Sequence, residues 1–283
     1  MKPHLYADLQ QRLSDGTIPE MGPEDEFRFA CRTECMGLCC QNITILLDPW
    51  DVETMARHLG LSEREFMDRY CRVRTGSRSP WPVLSLRDAE DGRCAFLLED
   101  GRCRIYPARS RNCRTYPLGR AVRFEFHEGT LETIEKMFLV ERMEGCLGHE
   151  EGDPWTVREW LDDAGALPYY KLGDEYLRLI HYAATELNAA AWLSGRTLQM
   201  LYPLLYGASA LRERLGLAVN DVGHEEFYRR RVRALRVILT QMAGALGHGP
   251  LAGEVPASGQ ETMMERVRGM LLDTARCGAG NGE

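Results

Sequence analysis

The sequence predicts an α+β fold, mainly helical. A small cysteine-rich domain, with short strands and a hairpin, is expected to pack with a C-terminal helical region. Three observations carry that reading. Nine of the ten cysteines lie before residue 147. Short apolar or alternating runs separated by Gly-containing turns lie among them, as small strands require. Beyond residue 171, apolar residues recur every three or four positions, the spacing of a helix with one packed face. The chain therefore divides into residues 1–170, the cysteine-cluster domain, and residues 171–283, the helical region, with the boundary after the loop-like DDAGALPYY.

The elements follow in order. Residues 1–30 read as a lead-in containing Gly and Pro and ending in FRFA. Ile43–Leu47 is β-branched and apolar and suits a short buried strand. Asp48 can cap a helix, Pro49 suits its first position, and Asp51 favours its first turn. Val52, Met55 and Leu59 form one stripe of that helix, and Gly60 is placed to end it. Ser62-x-x-Glu65 is a capping box for a second helix running toward Cys71, which reads as a packed thiol. Cys94–Tyr106 reads as a β-hairpin turning at Asp100-Gly101. Val122–Phe126 alternates like a strand, and Glu132–Arg142 reads as helical. Leu177, Ile180, Ala184, Leu187 and Ala191 keep helical spacing, as do Tyr228, Val232, Leu235, Leu239, Met242 and Leu246. Gly247–Pro250 stops the latter helix. A last helix covers roughly Glu261–Arg276, and the end past Cys277 should fray.

Composition excludes several classes. The formal net charge is -7, which argues against nucleic acid as a partner. No apolar stretch approaches the ~20 residues of a membrane span. MKPHLYADLQ lacks the apolar core of a secretory signal, so the chain reads as cytoplasmic. In a reducing compartment ten cysteines read better as metal ligands than as disulfides.

Cys31, Cys35, Cys39 and Cys40 place four thiols in ten residues, CRTECMGLCC, and Cys94, Cys103, Cys113 and Cys146 follow. Packing does not call for that density; soft metals do. These eight are the candidate ligands, for an iron–sulfur cluster such as [4Fe–4S] or for Zn²⁺. The first three are spaced by four, so a regular helix would align them, but Gly37 and the Cys39-Cys40 pair equally suit a tight loop. Adjacent cysteines diverge, so Cys39 and Cys40 face different sites or only one ligates. With Asp100-Gly101 as the turn, Cys103 would stand opposite Leu98. Cys94 would then lie four residues further on, roughly 13 Å away at ~3.4 Å per residue. Either the first strand breaks near Cys94, or the two serve different sites or opposite ends of one cluster region.

His149, three positions after Cys146, reads as a solvent-facing loop residue, and His58 and His127 as surface residues. Arg102, Arg104, Arg109, Arg111 and Arg114 surround Cys103 and Cys113; they read equally as cations that would favour thiolates and as the charges of an ordinary solvated strand and loop. Arg229–Arg236 reads as the solvated face of an amphipathic helix. A radical-SAM motif would need its third cysteine one residue earlier. No Gly-rich nucleotide turn follows a strand.

The motifs together resemble the zinc- or iron-chelating cysteine-cluster family named for CxxCxxCC. Cys31-RTE-Cys35-MGL-Cys39-Cys40 matches its opening, and DPWDVETMARHLGLSEREF its acidic-start helix and continuation. Cys94-AFL, Gly101-x-Cys103-x-Ile105-Tyr106, and Arg109-x-x-x-Cys113-Arg114-x-Tyr116-Pro117 match its central run. Gly145-Cys146-Leu147-Gly148 is similar to its later CPG element. The likeness covers about residues 27–160. The chain departs from the pattern in its three-residue spacers, in Ser110 for Pro, and in Leu147 for Pro. The resemblance implies zinc or iron bound by the cysteines. One related branch, flagellin lysine N-methylase, is similar in its CC-containing cluster and is associated with an iron–sulfur centre. It has a longer spacing before its CC pair. Two roles stay open: a binding module whose site is structural, carries metal or senses it, and a protein-modifying or redox enzyme.

Overall fold

A computed structural model describes residues 11–13, 15–75, 81–89, 91–128, 130–140, 142–149, 152–253 and 262–272. Its architecture is α+β and mainly helical, with three small sheets and a helical C-terminal part. Two compact units are distinguished. Of the described residues, those up to Leu47, Tyr70–Arg72 and those within Leu84–Tyr170 form one; those within Asp48–Arg69 and Val73–Val83 and those from Lys171 on form the other. No helix among the described residues is long and apolar enough to cross a membrane.

In the first unit, β1 (Glu20–Met21) and β2 (Glu26–Arg28) break up the N-terminal lead-in. β2 pairs antiparallel with β8 (Pro154–Thr156), setting Phe27 opposite Trp155. β6 (Leu118–His127) and β7 (Thr130–Leu139) form a ten-residue antiparallel hairpin, and β1 adds to the base of β7. The strand expected at Val122–Phe126 is therefore present and longer. The helix expected at Glu132–Arg142 is not: Thr130–Leu139 is strand. Its Glu and Lys residues suit a helix in isolation, but Leu131, Thr133, Ile134 and Phe138 find partners across the ladder. Cross-strand pairing outweighs local preference here. Phe27, Phe29, Leu118, Met137, Val157 and Leu161 form the buried core, with the Cys146 thiol packed in it.

A third sheet has the order β3 (Leu46–Leu47), β5 (Pro82–Leu86), β4 (Cys71–Thr75). Leu46 faces Ser85 and Leu47 faces Leu84. Cys71, expected toward a helix end, begins a strand instead. It is the packed thiol foreseen, 3 % exposed, and burial pushes it up to about 12.

The second unit opens with α1 (Pro49–His58). Asp48 and Asp51 exchange backbone hydrogen bonds at its start, and Gly60 takes a positive φ just past its end. α2 (Glu63–Tyr70) carries the foreseen box: the Ser62 N–H donates to Glu65 Oε2 at 2.9 Å, and the Glu65 N–H donates to Ser62 Oγ at 3.2 Å. α5 spans Leu167–Thr185, so LPYY opens a helix rather than closing a loop. Pro168 near the helix start explains this, since a missing N–H costs nothing there. α9 (His224–Ala245) matches the long apolar pattern, and Gly247 follows with positive φ. The described part of the last helix is Met263–Leu272; Cys277 and the expected frayed end lie outside the described residues.

The arginine-rich stretch of α9 is not simply a solvated face. Arg230 is 3 % and Arg231 1 % exposed. Arg231 forms a short ion pair with the buried Glu53 carboxylate, and Arg230 donates to the Leu271 carbonyl.

Candidate metal centre

β2 leads directly into the thiol-rich loop. Ala30 N–H donates to Gly148 O at 2.9 Å, fixing the start of the loop against the Cys146 segment. Phe29 beneath it meets Tyr116, His149 and Trp160 edge-on. The loop is two 3₁₀ turns, Thr33–Cys35 and Leu38–Cys40, separated by Gly37 at φ 84°. This is the tight-loop alternative, and the three cysteines do not share a regular helix.

Gly37 and Gly101 make the loop possible. A Cβ on Gly37 would stand 2.9 Å from Leu97 Cδ1 and 3.0 Å from Gly101 O. One on Gly101, at φ 80°, would stand 2.6 Å from Met36 O. Two backbones touch where only hydrogen fits. The Cys39-Cys40 turn is thereby held against the segment that carries Cys103.

The expected hairpin is reduced to a single bridge, Leu97 opposite Cys103, one residue out of the anticipated register. Gly101 N–H donates to Leu98 O and Leu98 N–H to Arg102 O, so the loop has three residues, Glu99–Gly101, rather than two. Asp100 also accepts from the Arg102 N–H, which favours this turn. Before the bridge, Leu97 N–H donates to Cys94 O at 3.0 Å. The chain turns at Cys94, so the broken-strand alternative holds and the roughly 13 Å separation of an intact ladder does not arise. Cys94 N–H donates to Cys40 O at 2.8 Å.

Cys113 sits on α3 (Arg111–Thr115), whose N-cap is Ser110. The Ser110 hydroxyl accepts from the Cys113 N–H, so Ser110 organises this helix start. Cys146 lies 3.8 Å from the Tyr116 hydroxyl, which also meets His149 Nε2 at 3.4 Å. Leu147 N–H donates to Cys35 Sγ at 3.4 Å. Such a donor stabilises thiolate charge.

The nine described cysteines are free thiols. Burial raises Cys31, and the charges of Cys39, Cys35 and Cys146 raise it further. Cys39 is brought down to about 7, first by the hydrogen bond from the Cys40 thiol; Arg109 adds to this. Cys40, as that donor, is pushed far up, with burial and the charges of Cys39, Cys94 and Cys113 adding. Burial raises Cys94 and Cys103, and Cys103 acts on Cys94. All eight candidate thiols thus enter one connected set of neighbours. Among the described residues, no three or more His, Cys, Asp or Glu side chains already stand as a ligand sphere.

The five arginines separate by role. Arg114 donates to the Ala164, Pro107 and Arg109 carbonyls and to the Tyr169 hydroxyl, a structural clamp. Arg104 lies over Phe96 and Tyr70, and Arg102 pairs with Asp100 at the surface. Arg109 stacks 3.8 Å from the Tyr106 ring, and its charge acts on Cys31, Cys39 and Cys103. Arg111 lies on α3 beside Cys113. His149 is half-buried and packed rather than solvent-facing, because Phe29 and Tyr116 enclose its ring. His58 and His127 are exposed. The bridging place of Tyr116 went unread in the sequence, although Tyr116-Pro117 beside Cys113 was the available signal.

These features define a small α+β unit built around clustered free thiols, a donor set of the kind that chelates soft metals. Residues 30–146 match the model of the CxxCxxCC family, described as a putative zinc- or iron-chelating domain. No curated protein and no solved structure matches the chain.

Proposed function

We propose that this chain binds metal through Cys31, Cys35, Cys39, Cys40, Cys94, Cys103, Cys113 and Cys146. One observation carries the reading: these eight free thiols act on one another within a segment whose family is described as zinc- or iron-chelating. All-sulfur donors suit both a Cys₄ zinc site and an iron–sulfur cluster. We place the cluster first, because the thiols have no paired histidine among them. Metal entry would displace thiol protons and draw the sulfurs inward, coupling binding to local folding. Arg109 would offset the negative charge that results.

Anaerobic purification with elemental analysis and visible spectroscopy tests the reading. Stoichiometric iron with acid-labile sulfide and a brown colour supports the cluster. A colourless protein with stoichiometric zinc replaces the cluster with zinc. Protein that retains neither metal after purification and reconstitution overturns the proposal.

A further inference from the structure

β6 forms one edge of its sheet. The strand order is β1-β7-β6, and among the described residues no strand pairs with the outer side of β6. The opposite edge is shorter, because β1 occupies β7 at Met137 and Phe138. All of β6, Leu118–His127, pairs with β7 in one unbroken register. The strand therefore has no bulge, and it contains no proline. Bulges and prolines are devices that blunt an edge; a long regular edge is a template for another strand.

His127 stands opposite Thr130, so the hairpin closes across two residues. Such a closing pair exchanges hydrogen bonds, and every second residue repeats the pattern. The odd-numbered residues of β6 thus turn their backbone N–H and C=O groups to β7. Arg120, Val122, Phe124 and Phe126 turn theirs outward. Side chains divide by the same parity. Arg123 and Glu125 share one face, both exposed and 2.9 Å apart. Glu125 also stands opposite Glu132, a like-charge pair that a further cation would relieve.

This edge is complementary to itself. When a second copy of β6 runs antiparallel with Phe124 opposite Phe124, Arg123 of each copy stands opposite Glu125 of the other. Val122 stands opposite Phe126, which is 62 % exposed in the single chain. The outward-turned backbones of Val122, Phe124 and Phe126 then form the hydrogen-bonded pairs. Arg123 and Glu125 fall on the alternate pairs, where side chains approach most closely. A register shifted by one residue breaks the hydrogen-bond parity. One shifted by two sets Arg123 against Arg123 or Glu125 against Glu125, and like charges directly opposite destabilise a pair.

We propose that two copies of this chain associate edge to edge through β6, about a twofold axis at Phe124, with Arg123 and Glu125 setting the register. The two three-stranded sheets become one continuous sheet. The interface is isologous, the same strand being offered by both chains. Backbone hydrogen bonds supply affinity, and the two crossed ion pairs supply selectivity.

The test is sedimentation velocity of the purified full chain over a concentration series, with a thiol reductant present. Wild type should reach the mass of two 32.2 kDa chains. Arg123→Glu and Glu125→Arg each set like charges opposite one another twice in the symmetric pair. Each should weaken association roughly a hundredfold. Mixed in equal amounts, the two variants should recover it, because every charge in the mixed pair again meets its opposite. Circular dichroism confirms that both variants fold. Hydrogen exchange of the wild type adds a measurement without substitutions. The amides of Arg120, Val122, Phe124 and Phe126 should lose protection on dilution, while those of Ala121, Arg123 and Glu125 keep it. A single-chain mass throughout the series overturns the proposal. So does a dimer that neither substitution weakens, or a pair of weakened variants that mixing does not restore. If either variant fails to fold, the exchange pattern decides, and protection that is independent of concentration overturns the proposal.

Discussion

Gly101 carries one of the tightest contacts in the thiol-rich loop. Gly101→Ala would force a Cβ to within 2.6 Å of Met36 O at a φ of 80°. It should cost about 2–3 kcal/mol, the sum of a left-handed backbone for a non-glycine residue and a backbone clash. Gly60→Ala, also at positive φ but with open space around it, should cost only about 1 kcal/mol. Denaturant midpoints of the two metal-free variants check the difference; equal costs would mean the loop yields without strain. His149 gives a pH dependence. Burial, and then the charge of Arg142, hold its ring below the ordinary histidine value. The folded state therefore prefers the neutral ring. That contribution is present above the unfolded value of about 6.5 and is lost as pH falls through the lower folded value. His149→Phe, which keeps an aromatic ring between Phe29 and Tyr116, should remove this acid sensitivity. Midpoints of metal-free protein at neutral and mildly acidic pH would show it, and an unchanged slope would contradict it.

Buried polar groups join elements within the second unit. Arg231 of α9 meets Glu53 of α1 with both side chains almost wholly buried, and donates to the Leu204 carbonyl. Glu53→Ala should cost about 3–5 kcal/mol, because it leaves a guanidinium buried without its carboxylate. Glu53→Leu combined with Arg231→Met should cost less than the single change, since no charge is then stranded. A double-mutant cycle by chemical denaturation reads the difference. This pair also explains what the sequence concealed. Asp48 with Asp51, and Ser62 with Glu65, were legible because a cap closes within three residues. Arg231 and Glu53 lie 178 positions apart, and nothing local distinguishes a buried arginine from its solvated neighbours. Thr130–Leu139 was misread for a similar reason, its strand partners being residues of β6. At Cys94–Cys103 the turn was placed correctly in outline, but Asp100 accepting from the Arg102 N–H made it one residue longer and shifted the register. The candidate thiols themselves were legible from spacing alone. The hydrogen bonds that join their segments were not, because they are accepted by the Gly148 and Cys40 carbonyls and donated by the Leu147 N–H, far apart in the chain.

At the scale of the whole molecule, the candidate metal ligands and the long apolar helices fall in different units. The eight thiols lie in the first, and the long apolar helices beyond Lys171 in the second. Stripping the metal should loosen backbone amides around 31–40, 92–104 and 143–148, while amides of α9 keep their protection. Hydrogen exchange with and without chelator reads this directly, and uniform loosening would show that metal supports the entire fold. The central claim is that sulfur, and sulfur alone from these cysteines, holds the metal. X-ray absorption at the edge of whichever metal co-purifies tests it most directly. The predicted first shell contains sulfur only, supplied by thiolates and, in a cluster, by sulfide. A first shell dominated by nitrogen or oxygen, or one unchanged when the eight cysteines are alkylated beforehand, would contradict it.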